Sequence, residues 1–425
     1  MLRKLIACLT GLLLALPVFG QERPTIQSID ASAAWRSDLA VLVERMEAAH
    51  PNLYWRVSEA AFRGALDDLA AEIPYLSDEQ IALGIVQVTA LIDGHTSVNP
   101  FQPAIGFHVY PLHVYRFSDG LFVIDAQDEN AIGARIVSIN GHAAEAVYTQ
   151  MIPFAPYDNP MTQASIAPLY LTIPEALLAV GIIADVQRPN FLLEHADGTR
   201  LTLNPSPQTL DQVPEWHTGH LMGLNTRTDT LYLSRFNDEA FWFDYLADSD
   251  TLYIQYNAVE RRSGSTPMAT FARDISAFLS ANDPARIVVD VRHNGGGDNT
   301  TYGVLINALS QSDQFNERGR FFVITSRHTF SAAKDFIGDL IHAGGEPLLV
   351  GEPSGGRPNN YGDTRPFTLP NSGIEVRVAT RFSQRGDSAE DPRDQFEVDI
   401  PVPLSSADYF ADVDPALEAI LAYLR

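Results

Sequence analysis

Phe321-Phe322-Val323-Ile324-Thr325-Ser326-Arg327-His328-Thr329-Phe330-Ser331-Ala332-Ala333-Lys334 decides how this chain is read. An apolar run of strand length breaks at a polar turn, and a helical pattern follows from about Ser331 to Ala343. Ser331 therefore stands at a helix start, where the positive end of the macrodipole favours an alkoxide or oxyanion. The plainer reading is an N-cap serine, which implies no chemistry. Gly344-Gly345 then closes the helix, and Pro347–Val350 returns as a strand.

Upstream, Arg286–Val291 is a buried strand that runs into His293-Asn294-Gly295-Gly296-Gly297. Three glycines exceed what a strand-to-helix turn needs, and they let backbone N–H groups face a ligand, as an oxyanion hole requires. No Gly-Lys-Ser/Thr follows, so this is not a phosphate loop. Further upstream, an apolar helix Ile81–Leu91 runs straight into Asp93-Gly94-His95-Thr96. A His fixed at such a turn suits a general base, and equally suits a capping or hydrogen-bonded structural His.

Strands and helices alternate from residue 228 onward, the pattern of an α/β layer architecture. Leu252–Tyr256 reads as a strand, and Thr266-Pro267 opens a helix with Phe271, Ile275, Phe278 and Leu279 on its apolar face. Residues 30–92 read as helices, from Leu39, Leu42, Met46 and Phe62, Leu66, Leu69. Between these regions, Val109–Phe117, Leu121–Ala126 and 134–141 read as strands, Ala143–Met151 as a short helix, 152–188 as a Pro-rich helical insertion, and 191–203 as a hairpin.

The 425 residues carry 53 acidic against 29 basic side chains, a formal charge of −24. That balance disfavours nucleic acid and anionic membrane surfaces as partners. Arg3, Lys4 and the apolar run Leu5–Leu16 read as a signal peptide over 1–20, too short to span a bilayer. Cleavage near Gln21 would remove Cys8, the chain's one cysteine, and with it disulfides, thiol catalysis and Cys-ligated metals. An exported, periplasmic or extracellular protein is expected, with no stable membrane insertion.

Taken in order, Asp93-Gly94-His95-Thr96, Ile139-Asn140-Gly141, Asp290 with Asn294-Gly295-Gly296-Gly297, Ser331-Ala332-Ala333, Val350-Gly351-Glu352-Pro353-Ser354-Gly355-Gly356 and Asp414-Pro415-Ala416-Leu417 resemble the tail-specific (C-terminal processing) serine peptidase family. The resemblance covers most of the chain and is closer to the family's tricorn-core-like members. It implies an α/β fold with a crotonase-like catalytic core, a helical N-terminal region and a PDZ-like β-rich domain. The segments would be a signal peptide at 1–20, helices at 21–100, the PDZ-like domain with its insertion at 101–205, and the catalytic core at 206–425. It further implies Ser331 as nucleophile, an oxyanion between the Gly295 and Gly296 backbone and the Ala332 N–H, and no cofactor and no metal.

The processing branch pairs its serine with a lysine in the loop after the following strand, but here that loop, 351–357, has none, and Arg357 stays protonated. The tricorn-like branch uses an upstream His and a late Glu. His95 matches the first and Glu390 the second, with Asp391 and Asp394 close by. His328 and His293 are alternative bases. Ser331-Ala332-Ala333-Lys334 also matches S-x-x-K, but Lys4 is the only other lysine and no K-T-G exists. His217 and His220, and His108 and His113, fall short of a three-ligand metal pattern.

The expectation is an exported serine peptidase acting on peptides or protein tails. A non-catalytic apolar-ligand or peptide-binding protein on the same fold, and an esterase, are the other two readings.

Overall fold

The computed structural model describes residues 25–213, 223–225, 230–235, 239–259 and 267–423. The expected signal peptide, His217, His220 and Thr266 lie outside them.

Three helices open the described chain: α1 (Ile29–Ala49), α2 (Glu59–Glu72) and α3 (Asp78–Ala90). Ser28, Ser58 and Ser77 cap them, each hydroxyl accepting from the N–H three residues on, and Gln80 completes a capping box on α3. Leu39, Leu42 and Met46 on α1 and Phe62, Leu66 and Leu69 on α2 turn inward, as their spacing predicts. Helix α3 is buried on nearly every side, so its end holds the Asp93–Thr96 turn inside the molecule.

An antiparallel sheet follows, in the order β1 (Leu112–Phe117), β2 (Gly120–Ala126), β3 (Arg135–Ile139), β4 (Phe191–Glu194) and β5 (Arg200–Leu203). Asn140 and Gly141 both take positive φ, 48° and 81°, which makes the tight turn after β3. Helices α4 (Ala144–Met151), α5 (Pro160–Tyr170) and α6 (Pro174–Ala179) fill the space between β3 and β4. One apolar cluster joins α1–α3, this sheet and α4–α6.

The second sheet holds β6 (Phe241–Leu246), β7 (Thr251–Tyr256), β8 (Arg286–Asp290), β9 (Phe321–Thr325) and β10 (Leu348–Gly351). Neighbours from β7 to β10 are parallel, β6 is antiparallel on one edge, and Ile400–Pro401 adds a short parallel strand on the other. The central strands are buried on both faces, which is why they read as largely apolar runs. Their side chains still alternate. Ile287, Val289, Phe321 and Val323 meet α7 (Met268–Ala281), α8 (Gly303–Leu309) and α9 (Ala332–His342). Val288, Phe322, Ile324 and Val350 meet α10 (Pro415–Ala422). The expected α/β core with a helical N-terminal region and a β-rich domain is thus the observed architecture.

After β10 the chain leaves the sheet and returns only at Ile400. Asn359–Gly362 pairs with Arg381–Gln384, and between them Arg365–Thr368 pairs with Glu375–Val378. Leu369, Ile374, Val376 and Val378 from this excursion enter the N-terminal apolar cluster. Ser97 and Arg377 exchange backbone hydrogen bonds of 2.9 Å, and the Ala379 N–H donates to Thr96 Oγ1 at 3.2 Å. The excursion thereby clamps the His95 turn against the second sheet.

Candidate active site

Ser331 lies where β9 gives way to α9. The turn is tied to the end of β8: Thr329 Oγ1 donates to the Val291 carbonyl at 2.9 Å, and the Phe330 N–H to the Asn294 carbonyl at 3.1 Å. Ser331 takes φ 50° and ψ −126°, a conformation that costs a non-glycine residue roughly 1–3 kcal/mol. Its hydroxyl makes no capping hydrogen bond, so the N-cap reading fails. Ser331 Oγ instead lies 3.0 Å from His95 Nε2, across 236 residues of sequence.

His95 is placed from three sides. Asp93 Oδ1 accepts from the His95 and Thr96 N–H groups at 2.8 and 2.6 Å. Asp93 Oδ2 meets His50 Nε2 at 2.8 Å, and both side chains are fully buried. His50 Nδ1 accepts from the Asn52 N–H at 3.0 Å, so Nε2 carries the hydrogen and donates to Asp93. Burial alone would raise the Asp93 carboxyl, but the His50 hydrogen bond, the His95 charge and the Thr96 N–H hold it below its usual value. The His95 ring stacks on Phe330 with centroids 4.4 Å apart, and Nδ1 lies 3.4 Å from the Asn360 carboxamide. Burial depresses the His95 pKa, opposed by Asp158 and Asp93.

The glycine turn divides its labour differently from the expectation. The Gly296 N–H donates to Asn294 Oδ1 at 3.0 Å. A Cβ on Gly296 would come within 2.6 Å of Ser331 Cβ, so this glycine supplies close approach. Gly295 does not line the cavity beside Ser331. Gly297 and Ala332 do, together with His95, Asp335 and Asn360. The cavity measures about 20 Å³ and its other walls include Asn299, Arg381 and Ser383, chemistry unsuited to an apolar ligand.

Glu390 is not brought to this cavity. It is exposed on the last part of the excursion, before the chain returns at Ile400. Asp391 is occupied by Arg393, and Asp394 by Arg357. Lys334 is fully buried with Nζ 2.5 Å from Asp335 Oδ1 and 3.2 Å from the Pro358 carbonyl. His328 faces Ser165 Oγ at 2.8 Å and Tyr115 at 3.4 Å, and His293 the Tyr232 carbonyl at 3.0 Å. His108 pairs with Glu175.

The sequence reading missed Asp335, Asn360, His50 and Asp158. Asp335 had a signal, since it lies four residues from Ser331 and so on the same helix face. It accepts from Ser383 Oγ at 3.0 Å and Asn299 Nδ2 at 3.2 Å. The others come together only through the tertiary fold.

No family model matches the sequence, and no curated protein matches it. Solved structures do. Mature CPAF aligns over 92% of this chain and 96% of its own, at 13% identity and a TM-score of 0.63. The chain has the CPAF fold. Mature CPAF complexed with lactacystin aligns over 92% and 97%, again at 13% identity and a TM-score of 0.63. Among the described residues, no helix is long and apolar enough to cross a membrane.

Proposed function

We propose that this chain is a serine-type peptidase, of the tail-specific and tricorn-like kind, that cleaves peptides or protein tails through an acyl-enzyme on Ser331. The contact of 3.0 Å between Ser331 Oγ and His95 Nε2, made by a serine in a strained turn, carries the reading. His95 Nε2 takes the Ser331 proton as Oγ attacks the scissile carbonyl carbon. It then delivers that proton to the leaving amine, and water releases the acyl group by the reverse route. A base at Nε2 needs its ring hydrogen on Nδ1; Asn360 Nδ2 faces Nδ1 at 3.4 Å, and rotating that amide by half a turn would present its oxygen as the acceptor.

The oxyanion belongs between the Gly297 and Ala332 N–H groups at the start of α9, with Gly296 as the spacer that lets them converge. This moves the glycine side of the expected oxyanion site from Gly295 and Gly296 to Gly297 and keeps Ala332. The antiparallel β1–β5 sheet, PDZ-like in its order of strands and helix, is the proposed docking platform for an extended substrate segment. Export by a cleaved 1–20 segment, to the periplasm or the exterior, belongs to the same reading.

Hydrolysis of a fluorogenic peptide library by the purified protein tests it. Ser331→Ala and His95→Ala are expected to lose at least about 100-fold in kcat while remaining folded. Full activity in Ser331→Ala contradicts the assignment.

A further inference from the structure

Asp158 is fully buried, and neither carboxylate oxygen has a hydrogen-bond partner. A buried, unsatisfied carboxylate is destabilising, so its retention calls for an explanation outside packing. Its position is built with care. The Tyr157 N–H donates to the Ala90 carbonyl at 3.2 Å, at the end of the helix that leads to His95. The Asn159 side chain donates to the carbonyls of Ser354 and Asp394 at 3.0 and 2.8 Å, and accepts from the Thr162 N–H at 2.9 Å. Gly94, the residue before His95, leaves a notch that Asp158 fills: a Cβ there would come within 2.8 Å of Asp158 Cβ and 3.1 Å of its Cγ.

The charged groups acting on Asp158 are His95, Asp93, Arg56 and Lys334, and those acting on His95 are Asp158, Asp93, Lys334 and Asp335. Asp93, Lys334 and Asp335 are each engaged, whereas Arg56 Nε and Nη1 make no hydrogen bond. Asp93 is taken up by His50 and two N–H groups. Lys334 and Asp335 hold each other. The Arg56 guanidinium lies over the Tyr157 ring at 4.4 Å. Asp158 alone among these carboxylates has no hydrogen-bonded partner.

We propose that Asp158 is the acid that supports His95: a positioning residue whose negative charge, held without hydrogen bonds against the Gly94 turn, stabilises the imidazolium formed when His95 takes the Ser331 proton. This is the role that the sequence suggested for Glu390, and it rests on the peptidase reading above. Burial pushes the Asp158 carboxyl up and the His95 imidazole down, while the charge of each group favours the ionised form of the other.

The test compares wild type, Asp158→Asn and Glu390→Gln as full chains, by kcat and KM for a cleaved peptide from about pH 4 to 9 and by thermal melting. Asp158→Asn is expected to lose about 100-fold in kcat, the size of one preorganised electrostatic group, with KM within about threefold. Its acid limb moves to lower pH, because His95 loses the charge that favours protonation. Its melting temperature stays level or rises, because no charge remains to be buried. Glu390→Gln behaves as wild type. Unchanged kcat and pH profile in Asp158→Asn overturn the proposal, as does a kcat loss that comes with a fall of several degrees in melting temperature. A wild type that neither turns over peptide nor acylates at Ser331 overturns the peptidase reading, and this proposal with it.

Discussion

Gly296→Ala tests the geometry of the turn more sharply than removing a catalytic side chain. Gly296 sits at φ 108°, and an added Cβ would stand 2.6 Å from Ser331 Cβ, 2.9 Å from the Ala332 nitrogen and 3.0 Å from the Phe330 carbonyl oxygen. None of these atoms is the end of a flexible side chain, so the Ser331 turn itself must retreat, by about 0.8 Å to reach ordinary contact. That movement acts on the 3.0 Å contact with His95 and on the Ala332 N–H together. A misplacement near 1 Å costs on the order of 100-fold, so kcat/KM should fall about 30- to 100-fold. Positive φ and overpacking together should cost roughly 2–5 kcal/mol by urea denaturation, which a folded domain survives. Gly295→Ala is the matched control, because a Cβ there meets nothing within 4 Å. Its stability should stay within about 0.5 kcal/mol, with activity unchanged. Equal activity in the two variants would refute the spacer role of Gly296.

Three other outcomes follow from the site and its frame. Lys334→Met should still acylate at Ser331, within about fivefold of the wild-type rate, because its ammonium serves Asp335; loss of acylation would revive the S-x-x-K dyad. His328 has its pKa lowered from 6.5 to about 3 by burial and by Arg327. Below pH 6.5 the unfolded chain binds a proton that the folded chain refuses, so stability falls between these values by up to about 1.4 kcal/mol per pH unit from this group. His328→Gln should shallow that slope in urea melts, and an unchanged slope would count against the assignment. Asp414 caps α10 through the Leu417 N–H at 3.1 Å and grips the buried Arg292 at 2.8 and 2.9 Å. Asp414→Ala should cost about 3–5 kcal/mol by leaving that guanidinium underpaired, and a loss under about 1 kcal/mol would contradict it.

The central strands were legible because burial on both faces leaves mostly apolar residues, and the N-terminal helices because serine caps and helical spacing agree. The edge strand Phe241–Leu246 was not singled out, since half of its residues face away from the core and its pattern is mixed. From its residues Ser331 was visible as a helix start, and through the resemblance as a nucleophile; its positive φ, beside the close approach of Gly296, was not legible. His95 was marked by its place directly after a buried helix and a glycine. Glu390 came from the resemblance, and the chain leaves it exposed after the path from Asn359 to Gln384 has wandered into another core. Asp158 carries no local pattern. Only the notch at Gly94 shows what it faces.

Incubation with a fluorophosphonate probe, followed by intact and peptide mass spectrometry, tests the central claim most directly. An activated Ser331 predicts one stoichiometric adduct on the peptide containing Ser331, absent in Ser331→Ala and slowed at least about 100-fold in His95→Ala. A folded protein without that adduct, or with the adduct elsewhere, would contradict the account.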